Sequence, residues 1–347
     1  MSETISLRPH HLPNGRFHNP WPGERERGFG GVVRWTLERL LHRRLDARTD
    51  GLASFPTQPS VRSPRAAANE LCVTWIGHSS FLLQVGALNV LTDPMFSPRA
   101  SPVRWAGPRR LMPPGVALGA LPPIDVVLQS HDHYDHFDDR TIRAVALQHP
   151  DAIWCAPLGV EKRLRARGVQ RIVERDWFES AMPFGTGSFS ETRVTCVPAR
   201  HFSGRSVMDR NSTLWCGWTI ETAGRRVYFV GDTGDHPAFA EISQRTGPFD
   251  LVLMPIGAYD PRWFMRPVHL DPEEAVAAFA RILAVHGASD ERRTTMAAMH
   301  WGTFKLTDEP VDEPPRRARA AWAARGLPAE SLWVMTPGET RVLGRES

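Results

Sequence analysis

The chain has 347 residues, of which 41% are hydrophobic and 23% are charged, so it can bury a sizeable core as one large domain or two ordinary ones. Its formal net charge is only +4, and no segment is long and apolar enough to resemble a membrane span or a signal peptide. These features argue against a membrane-spanning or secreted protein and predict a cytoplasmic one, with peripheral membrane association left open.

The first 68 residues are predicted to form an extension that packs on the rest of the chain. Within it, residues 32–45 place apolar side chains at helical spacing, with many arginines opposite. Such a basic amphipathic helix either packs on its own domain, which is the commoner case, or lies on an anionic membrane. Residues 54–68 contain several prolines and serines and predict a linker.

Residues 69–347 are predicted to form a single domain. Apolar runs at residues 72–76, 80–85 and 88–92 indicate a meander of strands. Strands and helices then alternate, and helices are predicted at residues 139–149, 158–168, 237–247, 271–286 and 314–326. Two β-rich blocks with helices outside predict an α/β fold in which two sheets pack face to face, an αββα sandwich.

The four cysteines are widely spaced and include no C-x-x-C pair. Neither a thiolate zinc site nor a disulfide framework is therefore indicated. Because three of them lie in apolar runs, we expect buried free thiols. The four residues are Cys72, Cys155, Cys196 and Cys216.

Residues 131–136 read His-Asp-His-Tyr-Asp-His and follow an apolar run that predicts a buried strand. A strand end holds side chains on a rigid base, as a metal site requires. We expect His131 and His133 to face one point, and Asp135 and His136 to face a second point nearby. Imidazole suits zinc, and a carboxylate neutralises part of its charge. The pattern predicts one half of a two-metal hydrolytic centre.

Three further polar residues, His201, Asp232 and His300, each end an apolar, strand-like run. Either histidine alone could be an ordinary strand-end residue, but together with the cluster they complete two sets of ligands. In this hypothesis His131, His133 and His201 hold the first metal, Asp135, His136 and His300 hold the second, and Asp232 bridges the two. Two zinc ions are predicted, with manganese or iron as alternatives, because His/Asp sites accept several metals.

Longer motifs of this chain resemble a known family. The order H-x-H-x-D-H, a lone histidine, G-D-T-G and a C-terminal histidine is similar to that of binuclear hydrolases with the metallo-β-lactamase fold. Within that superfamily, the chain resembles the family of zinc phospholipases D that hydrolyse N-acyl-phosphatidylethanolamine. The matched motifs lie at residues 15–17, 19–22, 74–78, 92–94, 100–102, 121–125, 217–218, 229–234, 255–265, 269–276 and 299–304.

The resemblance implies a four-layer αββα sandwich and a phosphodiesterase of the phospholipase D type. The substrate would be a phospholipid such as N-acyl-phosphatidylethanolamine, and a hydroxide shared by the two metals would attack phosphorus. The ligands then carry most of the chemistry, so Asp135 and Asp232 count as catalytic as well as metal-binding residues. A homodimer would be natural if the N-terminal extension caps a partner chain.

The resemblance also suggests roles for residues outside the ligand set. Asp93 would accept a proton from a ligand imidazole, although an Asp before Pro also initiates turns. His78 would lie behind the metals or face substrate, unless it is a buried structural histidine. His269 is predicted to be catalytic, donating to a phosphoryl oxygen or the leaving alcohol. Four residues are predicted to line the substrate pocket, with a core role as the alternative: Tyr259, Trp263, Phe264 and Met265.

Two other functions fit the same residues. A soluble phosphodiester, a lactone or a nucleic acid could replace the lipid as the substrate of the same centre. A nucleic acid is not expected, because the chain shows no appended basic domain and no aromatic-and-basic RNA-binding motif. A non-catalytic metal-binding scaffold is disfavoured, since every expected ligand position is filled.

Overall fold

Two seven-stranded sheets form the centre of the protein. The computed structural model describes residues 8–22, 28–41, 61, 64–206, 208–287 and 294–344. The first sheet contains β1 (Leu71–Gly77), β2 (Ser80–Val85), β3 (Leu88–Thr92), β4 (Val126–Leu128), β5 (Ile153–Pro157), β6 (Arg171–Arg175) and β14 (Thr340–Leu343), in the order β14-β1-β2-β3-β4-β5-β6. The second contains β7 (Ser180–Ala181), β8 (Arg193–Val197), β9 (Gly217–Thr222), β10 (Arg225–Phe229), β11 (Leu251–Pro255), β12 (Thr295–Met299) and β13 (Leu332–Trp333), in the order β13-β12-β11-β10-β9-β8-β7.

The described helices are α1 (Phe29–Leu41), α2 (Asp139–Gln148), α3 (Glu161–Arg165), α4 (Ala238–Thr246), α5 (Arg262–Met265), α6 (Pro272–Ala284) and α7 (Glu313–Ala324). The five helices predicted after the meander are confirmed as α2, α3, α4, α6 and α7. The prediction for α3 was too long, because Gly159 and Gly168 adopt left-handed backbone angles (φ +85° and +93°) that bound this short helix.

Alternation along the strands separates the two faces of the first sheet. Val73 and Trp75 of β1 belong to the large core shared with the second sheet, which Trp218 of β9 also enters. Ile76 belongs to a second apolar cluster on the other face, together with Ile142 of α2. On the second sheet, α6 packs on β11, and α4 and α7 pack against α6. The αββα sandwich is confirmed.

The helix predicted at residues 32–45 begins earlier, as α1, and residues 42–45 lie outside the described residues. It packs on its own chain through Trp35, whose ring centroid lies 5.3 Å from that of Phe264. The indole Nε1 of Trp35 also donates to Asp308 across 2.6 Å. Of the predicted linker at residues 54–68, only residues 61 and 64–68 are described.

Parallel pairing brings the ends of several strands to one edge of the sandwich. The strands β3 to β6 are parallel to one another, as are β10, β11 and β12. Polar loops follow β4, β8, β10 and β12 at this edge, and they carry the seven predicted metal ligands. Within the described residues, no helix combines the length and apolarity needed to cross a membrane.

Candidate metal centre

The loops after four strands bring all seven predicted ligands together. Residues 131–136 follow β4, His201 follows β8, Asp232 follows β10 and His300 follows β12. The structure places these side chains in two adjoining groups, with Asp232 between them.

The first group consists of His131, His133 and His201. Nδ1 of His133 lies 2.9 Å from Nε2 of His131 and 3.1 Å from Nε2 of His201. Nδ1 of His201 donates to the carbonyl oxygen of Val268 across 3.0 Å, which leaves Nε2 with a lone pair. Three ring nitrogens converge here, as three-histidine metal sites require.

The second group consists of Asp135, His136 and His300. Oδ2 of Asp135 lies 3.4 Å from Nε2 of His136 and 3.5 Å from Nε2 of His300. Nε2 of His78 approaches the same oxygen to 3.0 Å, so His78 contacts the back of this group. The group therefore offers two imidazoles and a carboxylate to one point.

Asp232 contacts both groups through a single carboxylate oxygen. Its Oδ2 lies 3.0 Å from Nε2 of His300 and 3.1 Å from Nε2 of His136. The same oxygen lies 3.8 Å from Nε2 of His201 and 4.0 Å from Nε2 of His131. This position is the one that a bridging carboxylate would occupy.

Asp93 orients one histidine of each group. Its Oδ2 accepts from Nδ1 of His136 across 2.6 Å. The hydroxyl of Ser130 donates to the same Asp93 oxygen. Because the Ser130 proton is used there, the Ser130 oxygen accepts from Nδ1 of His131, 2.8 Å away. With their Nδ1 protons held in this way, both imidazoles direct Nε2 to the centre. The structure thus places Asp93 where a proton acceptor was predicted.

The electrostatics of the cluster suit a cation. Burial and the neighbouring imidazoles hold the pKa of His131 well below its usual range, and burial lowers the pKa of His201 to about 3. Burial opposes ionisation of Asp232, yet His136 and His300 hold the pKa of its carboxyl well below the ordinary value. The first group is therefore neutral and Asp232 anionic, which are the protonation states that metal ligands need.

Three buried atoms of the second group and of Asp232 have no hydrogen-bond partner in the described part of the chain: Nε2 of His136, Nε2 of His300 and Oδ1 of Asp232. Leaving such atoms unsatisfied costs about 1–3 kcal/mol each. Coordination to a cation would satisfy them, and imidazole with carboxylate is a donor set that zinc, manganese and iron all accept. The residues present therefore fit the predicted metals.

Backbone strain is concentrated at the same edge. His78, Asp93 and His300 are not glycines, yet they adopt positive φ angles of 56°, 27° and 60°. Such conformations cost on the order of 1–3 kcal/mol each and persist where the surroundings hold them, often at functional sites. Here they direct three polar side chains into one cluster.

The structure places His269 beside the predicted ligands. Tyr259, which was predicted to line the substrate pocket, lies beside a helix. The ring centroid of His269 lies 5.1 Å from that of His201 and 5.3 Å from that of His300. The hydroxyl of Tyr259 is directed to α7, where it donates to Glu313 across 2.8 Å.

The apolar trio of α5 lies next to α1. The guanidinium of Arg34 stacks over Trp263 at 4.2 Å, Trp35 packs on Phe264, and Met265 is buried. A role of Tyr259 or of this trio in substrate binding stays a prediction.

Several buried or half-buried polar contacts in and outside the site have no recognisable sequence signal. Asp132, inside the histidine motif, is buried and accepts from the backbone N–H of Gly204 across 2.8 Å. His10 and His11, which show no ligand pattern, both contact Asp176, at 2.6 and 2.8 Å. Ser130 could have been suspected from its position just before the first ligand, whereas the partners of Asp132 and Asp176 are distant in sequence.

The β-lactamase superfamily domain matches residues 88–301, more than half of the chain. The chain belongs to this superfamily. The predicted resemblance is confirmed, and so is the prediction that the protein is a metal-dependent hydrolase.

Similar proteins extend the match beyond this domain. The chain is 33% identical over 326 residues to N-acyl-phosphatidylethanolamine-hydrolyzing phospholipase D 1 of Caenorhabditis elegans, covering 90% of this chain and 88% of that protein. It is 45% identical over 276 residues to an uncharacterised protein of Mycobacterium tuberculosis, covering 78% and 70%. Among solved structures, Igni18, a metallo hydrolase of Ignicoccus hospitalis, has a TM-score of 0.57 at 20% identity, covering 80% of this chain and 100% of that one. That likeness shows the fold.

Proposed function

We propose that this hydrolase is a binuclear phosphodiesterase that cleaves a phospholipid of the N-acyl-phosphatidylethanolamine type. The observation that carries the proposal is the position of Asp232, whose Oδ2 lies 3.0–4.0 Å from histidines of both groups. One carboxylate between two ligand sets is the arrangement of a two-metal hydrolytic site. The activity named for the Caenorhabditis elegans relative supports the substrate class.

In this proposal each residue has a defined task. When bound, the two metals, zinc in the first instance, would act as Lewis acids and generate a nucleophile from water at neutral pH. The first group and the second group would each hold one ion, and Asp232 contacts histidines of both groups. Asp93 keeps protons on Nδ1 of His131 and His136, directly or through Ser130, so that Nε2 faces the centre.

His269 is proposed as the proton donor to the leaving alcohol. Its ring lies between those of His201 and His300, at the open side of the cluster where its own side chain is partly exposed. Its Nδ1 has no hydrogen-bond partner in the described residues, so no protein group competes for it. The imidazole N–H can donate a hydrogen bond to the leaving oxygen, and full proton transfer would start from the imidazolium form and return the ring to neutral.

A surface loop beside the centre supports contact with a lipid surface. Trp105 is 80% exposed, and Arg104 and Arg109 of the same loop are exposed as well. The loop returns to the site through a bridge between Arg110 and Phe304, and the ring of Phe304 lies 5.4 Å from that of His78. An indole with flanking arginines suits the headgroup region of an anionic bilayer.

The test couples metal analysis of the purified protein to three assays: hydrolysis of N-acyl-phosphatidylethanolamine, of bis-p-nitrophenyl phosphate and of a lactone. We expect two zinc ions per chain and release of phosphatidic acid. If only a soluble ester is hydrolysed, the protein is still a hydrolase but its substrate is not the proposed phospholipid. A chain that binds no metal and hydrolyses none of the three would contradict the proposal as a whole.

A further inference from the structure

Residues 8–22 are here called the N-terminal strap. They include the matched motifs at residues 15–17 and 19–22, which have no role in the proposed chemistry. The strap is a short hairpin, closed by a hydrogen bond from the N–H of His18 to the carbonyl of His10 across 3.0 Å. Asp176 anchors its outer end by contacting Nε2 of His10 at 2.6 Å. The hairpin is thus attached to the loop between β6 and β7, 166 residues away in sequence.

The strap runs along the His201 loop, which we define as residues 201–213. The N–H of Phe17 donates to the carbonyl of Asn211 across 2.9 Å. Nη1 of Arg16 donates to the carbonyl of Arg210 across 2.7 Å. Phe17 itself is buried in the main core. These contacts hold the far side of the loop against the strap.

Asn19 reaches the ligand itself. Its side-chain Nδ2 donates to the backbone carbonyl of His201 across 2.8 Å. The ring of His201 is held separately, because its Nδ1 donates to the carbonyl of Val268 across 3.0 Å. The backbone and the ring of His201 are therefore restrained from two directions, and only the first restraint comes from the strap.

Trp21 extends the same contact to the neighbouring loop. Its ring is stacked between Trp177, at 5.5 Å, and His236, at 4.7 Å, with interplanar angles of 15° and 16°. His236 is buried and lies four residues after Asp232 in the loop that follows β10. The strap therefore packs against two of the loops that carry ligands from the second sheet.

We propose that Asn19 is a positioning residue for His201 and that the N-terminal strap is a clamp on the three-histidine group. This inference rests on the proposed two-metal centre. Releasing the His201 carbonyl would let the loop move and would misplace Nε2, so the first group would bind its metal more weakly. The second group is contacted by Asp93 and His78, and none of the contacts described for these two residues involves the strap, so this group would keep its metal.

The test uses the full chain with two variants and one control. Asn19→Ala removes the donor, and Asn19→Asp keeps the size of the side chain while replacing the amide by a carboxylate that cannot donate to a carbonyl. Asn14→Ala is the control, because Asn14 lies in the same strap and accepts only from the Arg16 N–H at an exposed turn, across 3.1 Å. Zinc stoichiometry and the rate of zinc transfer to a coloured chelator are measured, together with the melting temperature of the metal-free proteins.

For the wild type and Asn14→Ala we expect two slowly released zinc ions. For both Asn19 variants we expect one slowly released ion and a second that is bound about 10–100-fold more weakly, the range typical of outer-sphere partners. The metal-free melting temperature should fall by no more than about 4 °C, because each variant loses a single hydrogen bond.

Three results would overturn the inference. Two zinc ions with wild-type release in both Asn19 variants would refute the clamp and leave the proposed centre intact. Equal loss of both ions with a larger fall in the melting temperature would make Asn19 a general structural residue. A wild type that binds fewer than two ions would refute the two-metal centre and the clamp together.

Discussion

Nδ1 of His136 and Oδ2 of Asp93 lie 2.6 Å apart, and both side chains are fully buried. The carboxylate of Asp93 also accepts from the Ser130 hydroxyl, which in turn accepts from His131. One acidic residue behind the centre therefore sets the proton position of an imidazole in each ligand group. Such partners commonly affect metal affinity almost as strongly as the ligands themselves.

We expect Asp93→Asn to lower the affinity for both metals by about 10–100-fold, because a neutral amide no longer holds the Nδ1 protons as an anion does. Competition with a chelator would measure this change. Asp151→Asn, at an exposed turn after α2, is a control that should leave affinity unchanged. Wild-type affinity in Asp93→Asn would show that the carboxylate does not orient the ligands.

Substituting single ligand residues should distinguish the metal held by the first group from the metal held by the second. Asp232→Asn is expected to remove both metals and activity, since Oδ2 contacts histidines of each group. His131→Ala removes one nitrogen of the first group, so we expect the metal of that group to be lost first and the second to be retained. Metal analysis of each purified variant, with an assay on phospholipid vesicles, would measure both effects. Full activity with two metals in either variant would refute the assignment.

For His269→Ala we expect a fall in kcat of about 10²–10⁴, the usual contribution of a positioned acid, with unchanged metal content. His286→Ala is a matched control, because His286 is bound to Ser243 between α4 and α6 and should not affect turnover. Steady-state kinetics and elemental analysis would be measured on the same preparations. A fall in metal content would reassign His269 as a ligand.

Trp105→Ser should reduce binding to vesicles that contain anionic phospholipid by up to about tenfold, because partial burial of an indole contributes roughly 1.5 kcal/mol. Met182→Ser is the control, since Met182 is 50% exposed after β7 and no arginine lies within six residues of it in the sequence. Co-sedimentation would measure both proteins. Equal binding of Trp105→Ser and wild type would exclude this loop from the membrane contact.

The four cysteines should be unreactive in the native protein. All four are buried and free, and burial raises the pKa of the Cys155 thiol to about 12. A thiol with a raised pKa stays protonated at pH 8 and is a poor nucleophile. Titration with a thiol reagent should count no cysteine in the folded chain and four after denaturation. Rapid labelling of any native thiol would contradict the described burial.

The sequence predicted the strands and helices that have strong local signals. Asp271, Pro272 and Glu274 predicted the start of α6, where the structure has a full capping box with reciprocal side-chain and backbone bonds. The buried runs of β1, β2 and β3 were equally clear. The approach of His201, Asp232 and His300 to the residue 131–136 motif was inferred from chemistry, because three histidines in six residues require further ligands.

The remaining features depend on contacts between distant parts of the chain. Two-residue strands such as β7 and β13 have no local pattern and exist because a neighbouring strand offers a partner. The pairing of β14 with β1 joins residues 71 and 343. The bonds from Asn19 to His201 and from His10 to Asp176 span more than 160 residues each. Nothing in the sequence around Asn19 or His10 indicates which distant residue it contacts.

The ligands come from both sheets, since residues 131–136 follow a strand of the first sheet while His201, Asp232 and His300 follow strands of the second. The centre is therefore complete only after the two sheets have docked, and an unfolded chain offers nothing comparable. By mass action, ions that bind the assembled protein alone draw the folding equilibrium towards it. Thermal resistance would then vary with the free metal concentration around the molecule, so metal supply would influence how long the enzyme persists as well as how fast it works.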